Sequence, residues 1–214
     1  MAQSTHSSEA SARAPYPVAA RELLRNSLMD AARDLIAERP FAEVTMAQIA
    51  EQAGVSRQTL YNEFGSREEF TQALLLREAD RFLTSVEQAV SAHSDDPAKA
   101  LEAAFEVFLI AAAEDPIVRA GLRDGAEELL ALVTTRGRPI VEYAVQRLAG
   151  VIATEWPEAA RPDCELLSES LVRLAISYAA LPKGPTLMTA ESVAQLLGPF
   201  IEQALAREGG KADA

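Results

Sequence analysis

The chain has 214 residues, 49% of them hydrophobic and 24% charged, with a formal net charge of −12. That apolar content builds a core and excludes disorder over most of the length; the acidic balance excludes a generally basic nucleic-acid binder and leaves room only for a small, local contact surface. The longest uninterrupted apolar run, residues 107–113, is far short of the roughly 18–20 residues of a membrane span. Residues 1–14 are rich in Ser and Ala and have no apolar stretch of the secretory kind, so a cytoplasmic protein is expected. Cys164 is the single cysteine, and with His6 and His93 it makes no metal-ligand cluster; no metal and no cofactor are expected.

Strand signals are nearly absent, while Ala, Leu, Glu, Arg and Gln dominate, which predicts an all-α chain of about nine helices. In chain order, a mobile arm over 1–17 precedes a helix over 18–39 that Pro40 ends. Two short helices follow, 45–52 stopping at Gly54 and 56–62 stopping near Gly65. A long helix runs over 66–92. Asp95 or Asp96 opens the next, which ends near 114. Pro116 starts a short helix to 124, separated by Gly125 from its continuation through 135. Helices over 139–156, 163–180 and 189–207 complete the set, with Lys183-Gly184-Pro185 as a turn, Gly198-Pro199 as a kink and a disordered tail over 209–214.

The informative segment is 44–69, VTMAQIAEQAGVSRQTLYNEFGSREE. Thr45 with Gln48, and Ser66 with Glu69, have the spacing of capping boxes, and Ser56 can cap the helix between them. Gly54 suits a tight helix-to-helix turn. Ile49, Ala53, Val55, Leu60 and Phe64 supply a small core. At about 100° per residue, Gln58, Thr59 and Asn62 then face outward, flanked by Arg57 and Tyr61. Between Gln52 and Asn62 there is one arginine and no acid. Such a donor-rich face suits the DNA major groove, where Arg reads guanine and Gln or Asn reads adenine. The pattern alone leaves DNA binding and a plain helical corner equally open.

This segment resembles the DNA-binding domain of the TetR/AcrR family of bacterial repressors. The matching stretches are TMAQIAEQAGVS, then TLY, then FGSREE, preceded by Ala31, Ala32 and Leu35-Ile36 before Phe41. The resemblance implies a helix-turn-helix DNA-binding domain over 18–65, with Arg57, Gln58, Thr59, Tyr61 and Asn62 at the base-contact positions and Thr45 and Arg67 at phosphate contacts. Two residues depart from the family pattern. Gln58 stands where a small residue or proline is frequent, and Glu63 where histidine is common. A carboxylate there repels phosphate, so Glu63 is expected to turn away, toward Arg67.

For residues 66–208 the resemblance implies a larger helical ligand-binding and dimerisation domain. Leu167, Leu171 and Leu174 on one helix, and Val193, Leu197, Phe200 and Ile201 on the last, form apolar stripes. Two such helices from each subunit would make a four-helix dimer interface; facing the protomer's own core serves such stripes equally well. Phe105, Phe108, Leu109, Ala112, Leu129, Leu132 and Val133 are candidate liners of an apolar cavity, with Tyr143 and Tyr178 to orient a polar end. In overall texture the chain is similar to actinobacterial TetR-like regulators of alkane and fatty-acid metabolism, which implies a long-chain fatty acid or ester as effector.

The expected function is therefore a non-enzymatic homodimeric repressor of a double-stranded operator, released by a small hydrophobic molecule. The alternatives are a regulator without such an effector and a helical lipid-binding module without DNA binding. Glu127-Glu128, adjacent on a helix, point about 100° apart and read as surface rather than as an acid/base pair. No catalytic motif is present: no GxSxG, P-loop or GxGxxG.

Overall fold

A computed structural model describes residues 16–122, 138–181 and 186–206, which among them form nine α-helices and one 3-10 turn, without a strand. Residues 1–15 of the expected arm over 1–17, the expected helix over 125–135, the turn at 183–185 and the tail over 209–214 lie outside the described residues, and with them Leu129, Leu132 and Val133.

Helix α1 spans Tyr16–Glu38, starting two residues earlier than expected. Pro40 holds an extended conformation there and leads into a 3-10 turn, Phe41–Glu43, that the sequence reading did not anticipate. Helix α2 is Met46–Gln52, and its capping box closes as the spacing predicts: Thr45 N–H donates to Gln48 Oε1 at 2.8 Å, and Gln48 N–H to Thr45 Oγ1 at 3.3 Å. The turn to α3, Arg57–Phe64, passes through Gly54 at φ +71°. Ser56 caps α3 by accepting from the Thr59 N–H at 3.0 Å. Helix α3 runs one half-turn further than expected, because Phe64 is needed in the core.

Gly65 (φ +79°) separates α3 from α4, Arg67–Ser91. Glu69 reaches back in the second capping box, so a Cβ on Gly65 would stand 2.3 Å from Glu69 Oε2. Glycine is favoured at that corner by its φ, and a larger residue would also push the Glu69 carboxylate out of the capping box. Helices α5 (Pro97–Glu114, capped by Asp96), α6 (Pro116–Leu122), α7 (Arg138–Glu155), α8 (Arg161–Ala180) and α9 (Thr186–Ala206) complete the described fold. Helix α9 continues through Pro199, which deletes one backbone hydrogen bond.

The helices enclose two cores. The first joins α1, α2 and α3 to the first half of α4, with Leu28, Leu60, Phe70 and Leu74 almost wholly buried; Ile117 and Ala120 of α6 belong to it as well. The second joins the later part of α4 to α5, α7, α8 and α9. There α9 lies along α5, and α7 packs on both α4 and α8.

The second core corrects the register of the apolar stripes. Leu167, Leu171, Val193 and Ile201 are buried in the protomer's own core, and Leu174, Leu197 and Phe200 pack half-buried against it. A regular apolar stripe is first used to cover the protomer's own neighbours. Among the described residues, the large apolar side chains left outside on these helices are different ones: Leu166, 55% exposed, and Leu196, 68% exposed, with Leu181 at the end of α8.

Candidate functional site

Two features stand apart from ordinary packing: the outer face of α3 and a cavity between the two cores. Leu60 and Phe64 anchor α3 inward, and the T-shaped contact of Phe64 with Phe70, 4.9 Å between centroids, ties it to α4. The opposite face carries the residues singled out in the sequence. Arg57, Gln58 and Asn62 are exposed; Thr59 and Tyr61 are half-buried beside them. They pair along the helix one turn apart. The Arg57 guanidinium lies 5.3 Å from the Tyr61 ring centroid, and Gln58 Nε2 donates to Asn62 Oδ1 at 2.8 Å. Side chains held in this way present donors and acceptors from a fixed direction at little further entropic cost. Thr45 is exposed at the head of α2, with its hydroxyl engaged by Gln48.

Two of the expected roles do not fit the geometry. Arg67 turns inward: it donates to the Val44 carbonyl and, at 3.3 Å, to the Phe41 carbonyl, with its guanidinium 4.8 Å from the Phe41 ring centroid. It thereby caps the 3-10 turn and clasps it to α4, and a phosphate contact is not assigned to it. Glu63 does turn away, but toward α1 rather than Arg67. Arg21 Nε donates to its carboxylate at 2.7 Å, and Arg25 donates to its backbone carbonyl at 2.7 Å while covering the Phe64 ring at 4.0 Å. That hydrogen bond donated to Glu63, and the carboxylate's charge, raise the Arg21 pKa. The acid is thus neutralised within the domain, which leaves the outer α3 face without a bare carboxylate.

The cavity, about 180 Å³, lies between α4, α5, α6, α7 and α8. Phe105, Phe108 and Ala112 line it as the sequence suggested. Leu109 is buried in the second core but does not line it. Tyr143 is drawn outward, its hydroxyl donating to Asp80 Oδ1 at 2.5 Å, and with Arg147 it fastens α7 to α4. The bond to Asp80 and burial raise the Tyr143 pKa. Tyr178 stands edge-on to Phe105, 6.0 Å between centroids, outside the lining. The sequence reading missed the contributions of α4 (Leu75, Ala79, Phe82, Leu83), α7 (Ala144, Leu148) and α8 (Val172, Ile176). An apolar cavity of about this size stays dry and accepts apolar guests.

Glu78 is the one charged side chain in the described lining. It is buried, and three arginines surround it: Arg33 of α1, and Arg77 at 3.0 Å and Arg81 at 3.7 Å of α4. The other side of the Arg33 guanidinium pairs with Asp115, which precedes α6. Burial works against the Arg33 charge, but the hydrogen bonds and charges of Asp115 and Glu78 outweigh it and raise the pKa. Among the described residues no cluster of side chains could hold a metal, and no helix is long and apolar enough to cross a membrane.

The altered role of Arg67 has a measurable consequence. Arg67→Ala should lower stability by about 1–3 kcal/mol through the Val44 carbonyl it leaves unmatched, the Phe41 carbonyl keeping the Val44 N–H, read as a shifted urea midpoint. The salt dependence of DNA binding should keep its slope; a slope reduced by about one unit would return Arg67 to the phosphate contacts.

Comparison with known proteins agrees with the geometry. Residues 28–74 match the family of bacterial regulatory proteins, tetR family, and residues 96–199 match the bacterial tetracyclin repressor C-terminal domain. The HTH-type transcriptional regulator AlkX of Mycobacterium tuberculosis is 38% identical over 192 residues, covering 89% of this chain and 91% of that protein. The HTH-type transcriptional activator FasR of Mycolicibacterium smegmatis is 35% identical over 88 residues, 41% of this chain and 40% of its own. Among solved structures, the repressor AlkX from Dietzia sp. strain DQ12-45-1b, implicated in biodegradation of n-alkanes, superposes with a TM-score of 0.75 at 29% identity, covering 85% of this chain and 96% of that one. With both of its halves matched, and a relative of this closeness along most of its length, the chain belongs to the TetR family of DNA-binding transcriptional regulators.

Proposed function

We propose that this regulator is a cytoplasmic homodimeric repressor that sets α3 of each subunit into the major groove of a near-palindromic operator and lets go when a long-chain aliphatic molecule enters the cavity. The observation that carries this reading is the cavity itself. Its wall is apolar apart from Glu78, and α4, which supplies much of that wall, begins directly after α3 and Gly65. The AlkX relatives, one of them implicated in n-alkane biodegradation, support an aliphatic effector; a fatty acid or its ester fits the same description.

Operator binding at fixed salt, titrated with dodecane, methyl laurate and laurate, tests the reading directly. At least one should weaken it roughly 5–150-fold, the range of ordinary allosteric coupling. Ala112 lines the cavity, so Ala112→Trp should abolish the response while operator affinity without effector stays as in the wild type. Insensitivity of the wild type to all three compounds would end the aliphatic-effector reading.

Base reading is assigned to Arg57, Gln58, Thr59, Tyr61 and Asn62, with Thr45 at the phosphates. Arg57→Ala or Gln58→Ala should cost about 1–3 kcal/mol on the operator and less on unrelated DNA. Equal losses on both would reduce these residues to backbone contacts.

Dimerisation is assigned to the outer surfaces of α8 and α9. Leu166 and Leu196 are, among the described residues, large apolar groups on those surfaces that the protomer leaves uncovered, and a C2 pairing would bury each against the partner. The double variant Leu166→Glu, Leu196→Glu should sediment as a folded monomer with poor operator affinity. A dimer unaffected by both charges would place the interface elsewhere.

A further inference from the structure

We propose that Arg33 is the residue through which occupancy of the cavity reaches the DNA-reading helices; this rests on the effector reading above. Arg33 belongs to α1, in the first core, yet its guanidinium joins two walls of the cavity. One side pairs with Glu78, a cavity residue on α4. The other pairs with Asp115 Oδ2. The second oxygen of that carboxylate, Oδ1, accepts from the N–H groups of Ile117 at 2.9 Å and Val118 at 3.1 Å. Asp115 is thus fixed to the head of α6, and Ile117 and Val118 themselves line the cavity. One cation of the reading domain therefore holds α4 and α6 together at the cavity's edge.

Apolar contacts between the cores are not directional and tolerate sliding. Charge-assisted hydrogen bonds fix a position and fail over a short displacement. A guest that parts α6 from α4 carries Asp115 away with α6, and Arg33 cannot follow both carboxylates. Glu78 is not stranded by that break, because Arg77 remains at 3.0 Å and Arg81 at 3.7 Å. Arg33 is itself 30% exposed and is hydrated when released. Asp115, 19% exposed, loses its cation but keeps the Ile117 and Val118 N–H donors, so no carboxylate is left without a partner, which narrows the energy gap between the two positions.

The closing experiment uses the full-length protein and two variants. Asp115→Asn keeps the α6 cap, since asparagine caps as well as aspartate, but removes the charge that Arg33 holds. Arg33→Met removes the cation and keeps a long side chain. Operator affinity is measured with and without methyl laurate, and methyl laurate binding is followed by calorimetry. In the wild type the ester should weaken operator binding roughly 5–150-fold, and in both variants less than about twofold with the ester still bound. Full coupling in both variants would overturn the proposal. Hydrogen exchange on the ligand-free proteins needs no effector: amides of α1 and α6 should exchange faster in both variants, while those of α5 and α8 keep their protection. Unchanged exchange in α1 and α6 would also overturn it. A wild type blind to the ester, together with faster exchange in the variants, would refute the effector reading and leave the Arg33 link between α1 and α6 standing.

Discussion

Everything in this molecule depends on α4 remaining one unbroken helix. Its 25 residues contain neither proline nor glycine and span about 37 Å at 1.5 Å per residue. The Ser66/Glu69 capping box fixes its start, and Gly65 sets the angle at which α3 leaves it. Phe70 and Leu74 are buried in the first core, and Val86 and Val90 in the second. A helix held at both ends in different cores has no soft point between them, so displacement of one end is felt at the other. Leu75 is buried in the first core and also lines the cavity, which places the two features side by side on the same element.

Helix α6 repeats that logic at smaller scale. Ile117 is almost wholly buried, belongs to the first core and lines the cavity. The cavity is thus walled in part by residues that the reading domain needs for its own packing. Close-packed interiors do not deform continuously, so a change at such a shared wall tends to be a step between two packings. Charge is handled with the same economy at the other end of the domain. In a chain of net charge −12, the single acid within α3, Glu63, is matched by Arg21 and Arg25 from α1. The local field outside α3 is therefore less hostile to phosphate than the net charge suggests.

The local parts of this arrangement were legible in the sequence. Both capping boxes, the Ser56 cap and the Gly54 turn depend on residues three or four apart, and each formed where the spacing placed it; of the two candidates Asp95 and Asp96, it is Asp96 that caps α5. The outward set Arg57, Gln58 and Asn62 followed from the helical period once Leu60 and Phe64 were known to point in. Residues whose partners lie far along the chain were not legible. Arg67 takes carbonyls 23 and 26 residues away, Glu63 takes an arginine 42 residues away, and Arg33 reaches Asp115 across 82. The stripes of α8 and α9 were found correctly as stripes, but periodicity does not say whether a stripe meets its own protomer or a partner. The cavity was half legible for a related reason. Phe105, Phe108 and Ala112 share one face of α5, whereas the walls from α4 and α7 are set by how those helices cross.

The most direct test of the central claim, that filling the cavity changes the spacing of the two reading helices, is a distance measurement within the dimer. A spin label at Glu51→Cys, on the exposed side of α2, reports that spacing, and the buried native Cys164 (2% exposed) stays unlabelled. Electron–electron resonance without effector should give one narrow distance population, compatible with reading helices about 34–36 Å apart or a multiple of that. Saturating methyl laurate should move the population by several ångströms or broaden it into a second one. An identical distribution with the ester demonstrably bound would contradict the account.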